Sequence, residues 1–206
     1  MFDSIFLCIF AATMSENVII ADAAFVDKVA FDLIVNFERM LERPIPQADM
    51  AKWTECVALD GGLRTGERQT TVILTHDKEM TEMQNFVPGR FAEELEGKAF
   101  NGNLGEFEFS TPCGEGFVDK DNLFLDTLQT VMQLQDVKRV MVIPDEAIYN
   151  NVRDILRKAD DETSDMKRVT VFAMQPMPGG AFRQEILGYS LMAALGIRGE
   201  EIRIKN

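Results

Sequence analysis

Four aspartates stand where oxygen-ligand chemistry is easiest to build in this chain. Asp22 closes the apolar run "NVIIAD", and Asp145 closes "RVMVIPD". Asp121 and Asp126 flank "NLFL", ahead of and inside the helical stretch that leads into that second run. Carboxylates that converge from separate strand ends suit Mg²⁺ or Mn²⁺, which prefer oxygen ligands in octahedral geometry. Such a metal generates hydroxide and stabilises an in-line phosphoryl displacement. On this reading Asp22, Asp126 and Asp145 are catalytic, and Asp22, Asp121, Asp126 and Asp145 are metal ligands. Each acid also has a plainer role. Asp145 and Asp121 precede helices and suit capping. Asp126 lies in a first turn, where a negative charge complements the helix dipole. Asp22 is the hardest to dismiss, because it ends a buried strand three residues before an apolar helical pattern.

The elements that must position these acids alternate along the chain. Short apolar runs predict strands at residues 17–22, 70–77, 139–145 and 168–176, and the strict alternation of "EFEFST" predicts one with a wet face near a sheet edge. Helical spacing predicts helices within residues 25–43, 46–60, 122–136, 146–159 and 182–197, with a short turn of helix near residues 91–95. Residues 200–205, "EEIRIK", read as a further edge strand. Strand-helix alternation implies an α/β fold of three layers, doubly wound, with a mainly parallel sheet of about five strands. A 3-2-1-4-5 order, Rossmann-like, makes the strands ending at Asp22 and Pro144 neighbours where the order reverses, and ligands in such sheets sit beyond the strands' carboxyl ends there.

Composition narrows the partners. The chain has 206 residues, 46% hydrophobic and 27% charged, with a net charge of −13. That balance opposes binding to RNA or to an anionic membrane and leaves a protein partner or homo-oligomer as the expected contact. Cys8, Cys56 and Cys113 are far apart and show no zinc or disulfide spacing, which fits thiols in a reducing cytoplasm. His76-Asp77 is a candidate acid/base pair, and Arg64 and Arg68 are candidate anion ligands. The glycine-rich stretches "DGGLRTG" and "MPGGAF" match no phosphate-binding loop. The opening "MFDSIFLCIFAAT" is too short an apolar run to span a bilayer and lacks a basic leader. Residues 1–16 are therefore read as an N-terminal extension from an over-extended start, with a partner-binding arm as the alternative, and residues 17–206 as a single α/β domain.

The runs "VIIADAAFVDKVAFDLIV", "FVDKDNLFLDTLQTVM", "RVMVIPDEAIYNNVRDILRK" and "RVTVFAMQP" resemble the layout of PIN-like nucleases, in particular the NYN branch. The resemblance implies a metal site built from Asp22, Asp121 or Asp126, and Asp145, and an activity as a Mg²⁺- or Mn²⁺-dependent ribonuclease. In "IPDEAIY" the chain departs from the branch's Ser-Gly-Asp-x-Asp-Phe run: Pro144 replaces the glycine and Ala147 the second aspartate. These departures favour a non-catalytic or repurposed interaction module over the ribonuclease. A small-molecule or nucleotide enzyme using the same crevice is the third expectation.

Overall fold

The computed structural model describes residues 14–66, 69–114, 119–162, 167–180 and 182–203. Residues 1–13, with Cys8 and most of the N-terminal extension, lie outside the described residues, as does Arg68.

The frame is one twisted sheet. Its strands are β1 (Asn17–Asp22), β3 (Gln69–Thr75), β5 (Ala99–Gly102), β6 (Gly105–Ser110), β7 (Arg139–Ile143), β8 (Arg168–Ala173) and β9 (Arg183–Ile186), in the order β5-β6-β3-β1-β7-β8-β9. Every pairing is parallel except that of β5 with β6. A separate two-residue pair joins β2 (Ala48–Asp49) to β4 (Phe86–Val87). The helices are α1 (Ala23–Leu41), α2 (Met50–Asp60), α3 (Lys120–Gln133), α4 (Tyr149–Glu162), α5 (Leu187–Ala194) and α6 (Gly199–Arg203).

The sheet thus has seven strands rather than five, and its order differs from 3-2-1-4-5. Two elements account for the difference. "AFNG" forms β5 and folds back on β6 through Asn103-Leu104, so β6 is one strand in from the edge. "RQEI", which helical periodicity assigns to the start of a helix, is strand β9, and α5 begins only at Leu187. The C-terminal "EEIRIK" is no edge strand as far as Arg203; that stretch is α6.

Alternation along the strands builds the two faces. Ile19 and Ala21 of β1, Val72 and Leu74 of β3, Phe107 and Phe109 of β6, and Met141 and Ile143 of β7 face the core shared with α1, α2 and α5. Val18, Ile20, Ile73, Val140 and Val142 face the other core, with Phe124, Leu128 and Val131 of α3 and Val152 and Leu156 of α4. β1 is buried along its whole length, as a central parallel strand covered on both sides must be. Its neighbours are β3 and β7, so successive crossovers leave it toward opposite sides, and the carboxyl ends of β1 and β7 stand together.

Trp53 anchors α2. It is fully buried and meets Phe86 edge-on, with ring centroids 5.5 Å apart. Trp53→Ala should lower unfolding free energy by about 3–5 kcal/mol, the usual range for emptying an aromatic site in a core. Urea titration followed by far-ultraviolet circular dichroism measures it.

Candidate functional site: a lysine among three carboxylates

Three helices begin close to the reversal between β1 and β7, and an aspartate caps each. Asp22 accepts the Phe25 N–H at 2.9 Å and starts α1. Asp119 accepts the Asn122 N–H at 2.8 Å and starts α3. Asp145 accepts the Ala147 N–H at 2.9 Å and starts the short 3₁₀ turn Glu146–Ile148 that leads into α4. Capping answers the orphan N–H groups of each first turn. It leaves the second oxygens of Asp22 and Asp145 free to face each other's neighbourhood.

Lys120, the first residue of α3, fills that space. Its Nζ lies 2.7 Å from Asp22 Oδ2, 2.9 Å from Asp121 Oδ1 and 3.5 Å from Asp145 Oδ2. An ammonium has three N–H donors, and here three carboxylates receive them. The Asp22 and Asp145 oxygens are therefore no farther apart than the two Lys120 contacts allow. The Asp22 side chain is wholly buried, whereas those of Asp121 and Asp145 are partly exposed. A lysine at a helix N-terminus opposes the helix dipole, a penalty of about 0.3–1 kcal/mol at an exposed site. The carboxylates reverse that preference.

The electrostatics follow from burial. Loss of water pushes the Asp22 carboxyl above its ordinary value; the Lys120 ammonium and the Phe25 N–H pull it back, and Asp145 adds to the upward push. Burial alone draws the Lys120 ammonium down, but its bonds to Asp22 and Asp121 outweigh that and hold it well above an ordinary lysine. Lys28, exposed one turn into α1, is bonded to Asp32 and also feels Asp145.

The acids expected from sequence therefore divide. Asp22, Asp121 and Asp145 converge on one point. Asp126 does not: it is exposed on α3, more than a turn beyond Lys120, and among the described residues its recorded bond is through its backbone carbonyl, which accepts from Thr130 Oγ1 at 2.8 Å. A divalent ion held at about 2.1 Å from each oxygen would need the place where the Lys120 ammonium sits. Among the described residues no group of three or more His, Cys, Asp or Glu side chains is arranged to hold a metal. The residues present do not fit Mg²⁺ or Mn²⁺ while Lys120 is in this position. Sequence reasoning missed Lys120: the run Asp119-Lys120-Asp121 sets a cation between two acids at a helix start, but nothing in it points to Asp22.

The other candidates are engaged elsewhere. His76 is buried and stacked on Phe91 with centroids 3.9 Å apart. Its Nδ1 faces the Asp77 carbonyl at 2.8 Å and its Nε2 the Thr111 carbonyl at 3.2 Å, so neither nitrogen is presented to a substrate. It is the backbone of Asp77, not its carboxylate, that meets the ring. Arg64 donates to the carbonyls of Leu59 and Leu63 just past α2. It precedes β3, which places it at the opposite end of the sheet from the crevice. Cys56 and Cys113 are free and half-buried. No helix of the described residues is long and apolar enough to cross a membrane.

Removing the lysine strands a buried carboxylate. Lys120→Met should destabilise the protein by about 3–5 kcal/mol at neutral pH, the usual penalty for breaking a buried pair from one side. Lys120 is held above its unfolded value, so its contribution is fully present below about pH 10.4 and fades as pH rises toward the folded value. The gap in stability between wild type and variant should thus hold from neutrality to that point and narrow above it. Denaturant titrations of both proteins across the alkaline range measure the gap.

No curated protein and no solved structure matches the chain. A family does match, over residues 11–202, which takes in the sheet, both cores and all three carboxylates around Lys120. The chain belongs to that family, the family of unknown function DUF6621.

Proposed function

We propose that this chain is a PIN-like α/β module that does not cleave phosphodiesters and works through contact with another protein molecule. The observation that carries the reading is Lys120. Its ammonium stands between Asp22, Asp121 and Asp145, in the place a catalytic cation would need. Pro144 and Ala147 flank Asp145 and depart from the nuclease pattern at the same corner. The net charge of −13 works against an RNA backbone, whose binding depends on lysine and arginine releasing counterions. An internal ammonium neutralises the carboxylates at fixed geometry, so the crevice becomes part of the scaffold.

The second reading, a Mg²⁺- or Mn²⁺-dependent ribonuclease, rests on the same three convergent carboxylates. It requires Lys120 to swing out before metal enters. The flexible lysine stem and the long contact to Asp145, 3.5 Å, are what favour it. A nucleotide or small-molecule enzyme using His76 or Arg64 has less support, because both side chains are committed to backbone carbonyls.

Single-turnover cleavage of single-stranded RNA with Mn²⁺, run on wild type, Asp22→Asn and Lys120→Ala, separates these readings. The expected result is background cleavage in all three, with no rise in melting temperature on adding Mn²⁺ to wild type. Lys120→Ala, with the place vacated, should gain a Mn²⁺-dependent rise, since an ion that binds only the folded state stabilises it. Cleavage by wild type that disappears in Asp22→Asn establishes the ribonuclease instead.

A further inference from the structure

The α1 helix carries a second stripe that none of the described residues covers. From Phe31 onward no residue of α1 is fully buried, although the helix continues to Leu41. Its core stripe, Leu33, Ile34, Phe37 and Leu41, packs partly against the cluster under β1 and β3. On another side Lys28, Phe31, Val35 and Glu38 are all exposed. Their spacing alternates three and four residues, the seam of a two-helix coiled coil. Phe31 and Val35, 53% and 38% exposed, form its apolar middle. A cation, Lys28, stands at the amino end, where it also bridges the exposed Asp32 at 2.7 Å, and an acid, Glu38, stands toward the carboxyl end.

That order of charges selects the occupant. A second α1 laid antiparallel about a two-fold axis near Leu33 sets Phe31 against Val35 of the other copy, and Lys28 against Glu38 of the other copy. The symmetry makes each contact twice. A parallel partner of the same sequence would put Lys28 beside Lys28 and Glu38 beside Glu38, which costs rather than gains energy. An isologous interface needs this kind of self-complementarity, in which residue i meets j and j meets i.

We infer that α1 is a self-association surface, through which two copies of this chain pair antiparallel at Phe31 and Val35 with Lys28–Glu38 contacts at both ends. The inference names the partner for the interaction module proposed above and rests on that reading. The interface is small, one helix against one helix, so the pair is weak and reversible. Small contacts of this kind sit at the low end of specific interfaces, so the dimer is expected to form only at high protein concentration. The net charge of −13 on each copy adds repulsion, which salt relieves.

Sedimentation equilibrium of the full chain at roughly physiological salt, where the Debye length is about 8 Å, tests it. Wild type should show a monomer–dimer equilibrium. Phe31→Asp and Val35→Asp should each weaken it at least about tenfold. These residues are exposed, so the melting temperatures of both variants should stay close to wild type. Lys28→Glu alone and Glu38→Lys alone should each weaken self-association, and an equimolar mixture of the two should recover it, because only the mixed pair restores opposite charges at both ends. Glu38 also accepts the Ile45 N–H at 3.0 Å, so unchanged circular dichroism of Glu38→Lys is checked alongside. If Glu38→Lys perturbs the fold, Lys28→Glu carries the electrostatic test: its dimer should be weaker than wild type at low salt, with the difference shrinking at high salt, and equal affinities at low salt overturn the Lys28–Glu38 contacts. A wild type that stays monomeric into the millimolar range overturns the inference. So does a dimer indifferent to Phe31→Asp, or a charge mixture with no recovery. The Mn²⁺ and RNA assays above are read on monomer and dimer alike, so loss of the dimer leaves the reading of the crevice untouched.

Discussion

A buried carboxylate needs a counter-charge, and the arrangement around the crevice follows from the way Asp22 obtains one. Asp22 is drawn inside because β1 is the central strand and α1 starts at its end. The Phe25 N–H satisfies one oxygen. The other would stand ionised in the interior, at a penalty of several kcal/mol, without a cation beside it. Lys120 supplies it from α3, a helix that reaches this point only because its strand, β7, lies next to β1. The ion pair therefore ties together two crossovers that lie on opposite faces of the sheet. The same ammonium holds Asp121 and Asp145, so the starts of α1, α3 and the 3₁₀ turn are set by one charge.

Much of this frame was legible in the residues. The continuous apolar runs of β1, β3, β7 and β8 read as buried parallel strands, and the alternation of "EFEFS" as a half-wet one. β5 and β9 were not legible, for different reasons. "AFNG" is four residues with an asparagine and a glycine, and it is a strand because β6 offers it an open edge. "RQEI" is polar and runs without a break into an apolar helix, so the helical period swallows it. The β2–β4 pair is two residues long on each side, below what any periodicity can register. In each case tertiary pairing overrode local pattern.

The crevice divided in the same way. The convergence of Asp22 and Asp145 follows from strand order, and strand order follows from alternation. Asp121 and Asp126 could not be separated by spacing alone, since both lie near the start of one helix. The direction each faces decides it: Asp121 shares the Lys120 corner, and Asp126 has turned to solvent. Lys120 was hidden because a lysine between two aspartates at a helix start reads as a solvated residue. Its role depends on Asp22, almost a hundred residues earlier, and no local window contains both.

The two ends of the sheet bear on how such a chain can meet another. Both edge strands, β5 and β9, are four residues long. One runs antiparallel to the rest and ends in the tight turn before Gly105. The other carries Arg183 and Glu185, paired with each other along its length. Short, charged or reversed edges are poor templates for a further strand. Among the described residues, growth by strand addition, the route that leads toward open-ended fibres, is thus disfavoured at both margins. A helix pair such as the one proposed for α1 joins a limited number of copies and then stops.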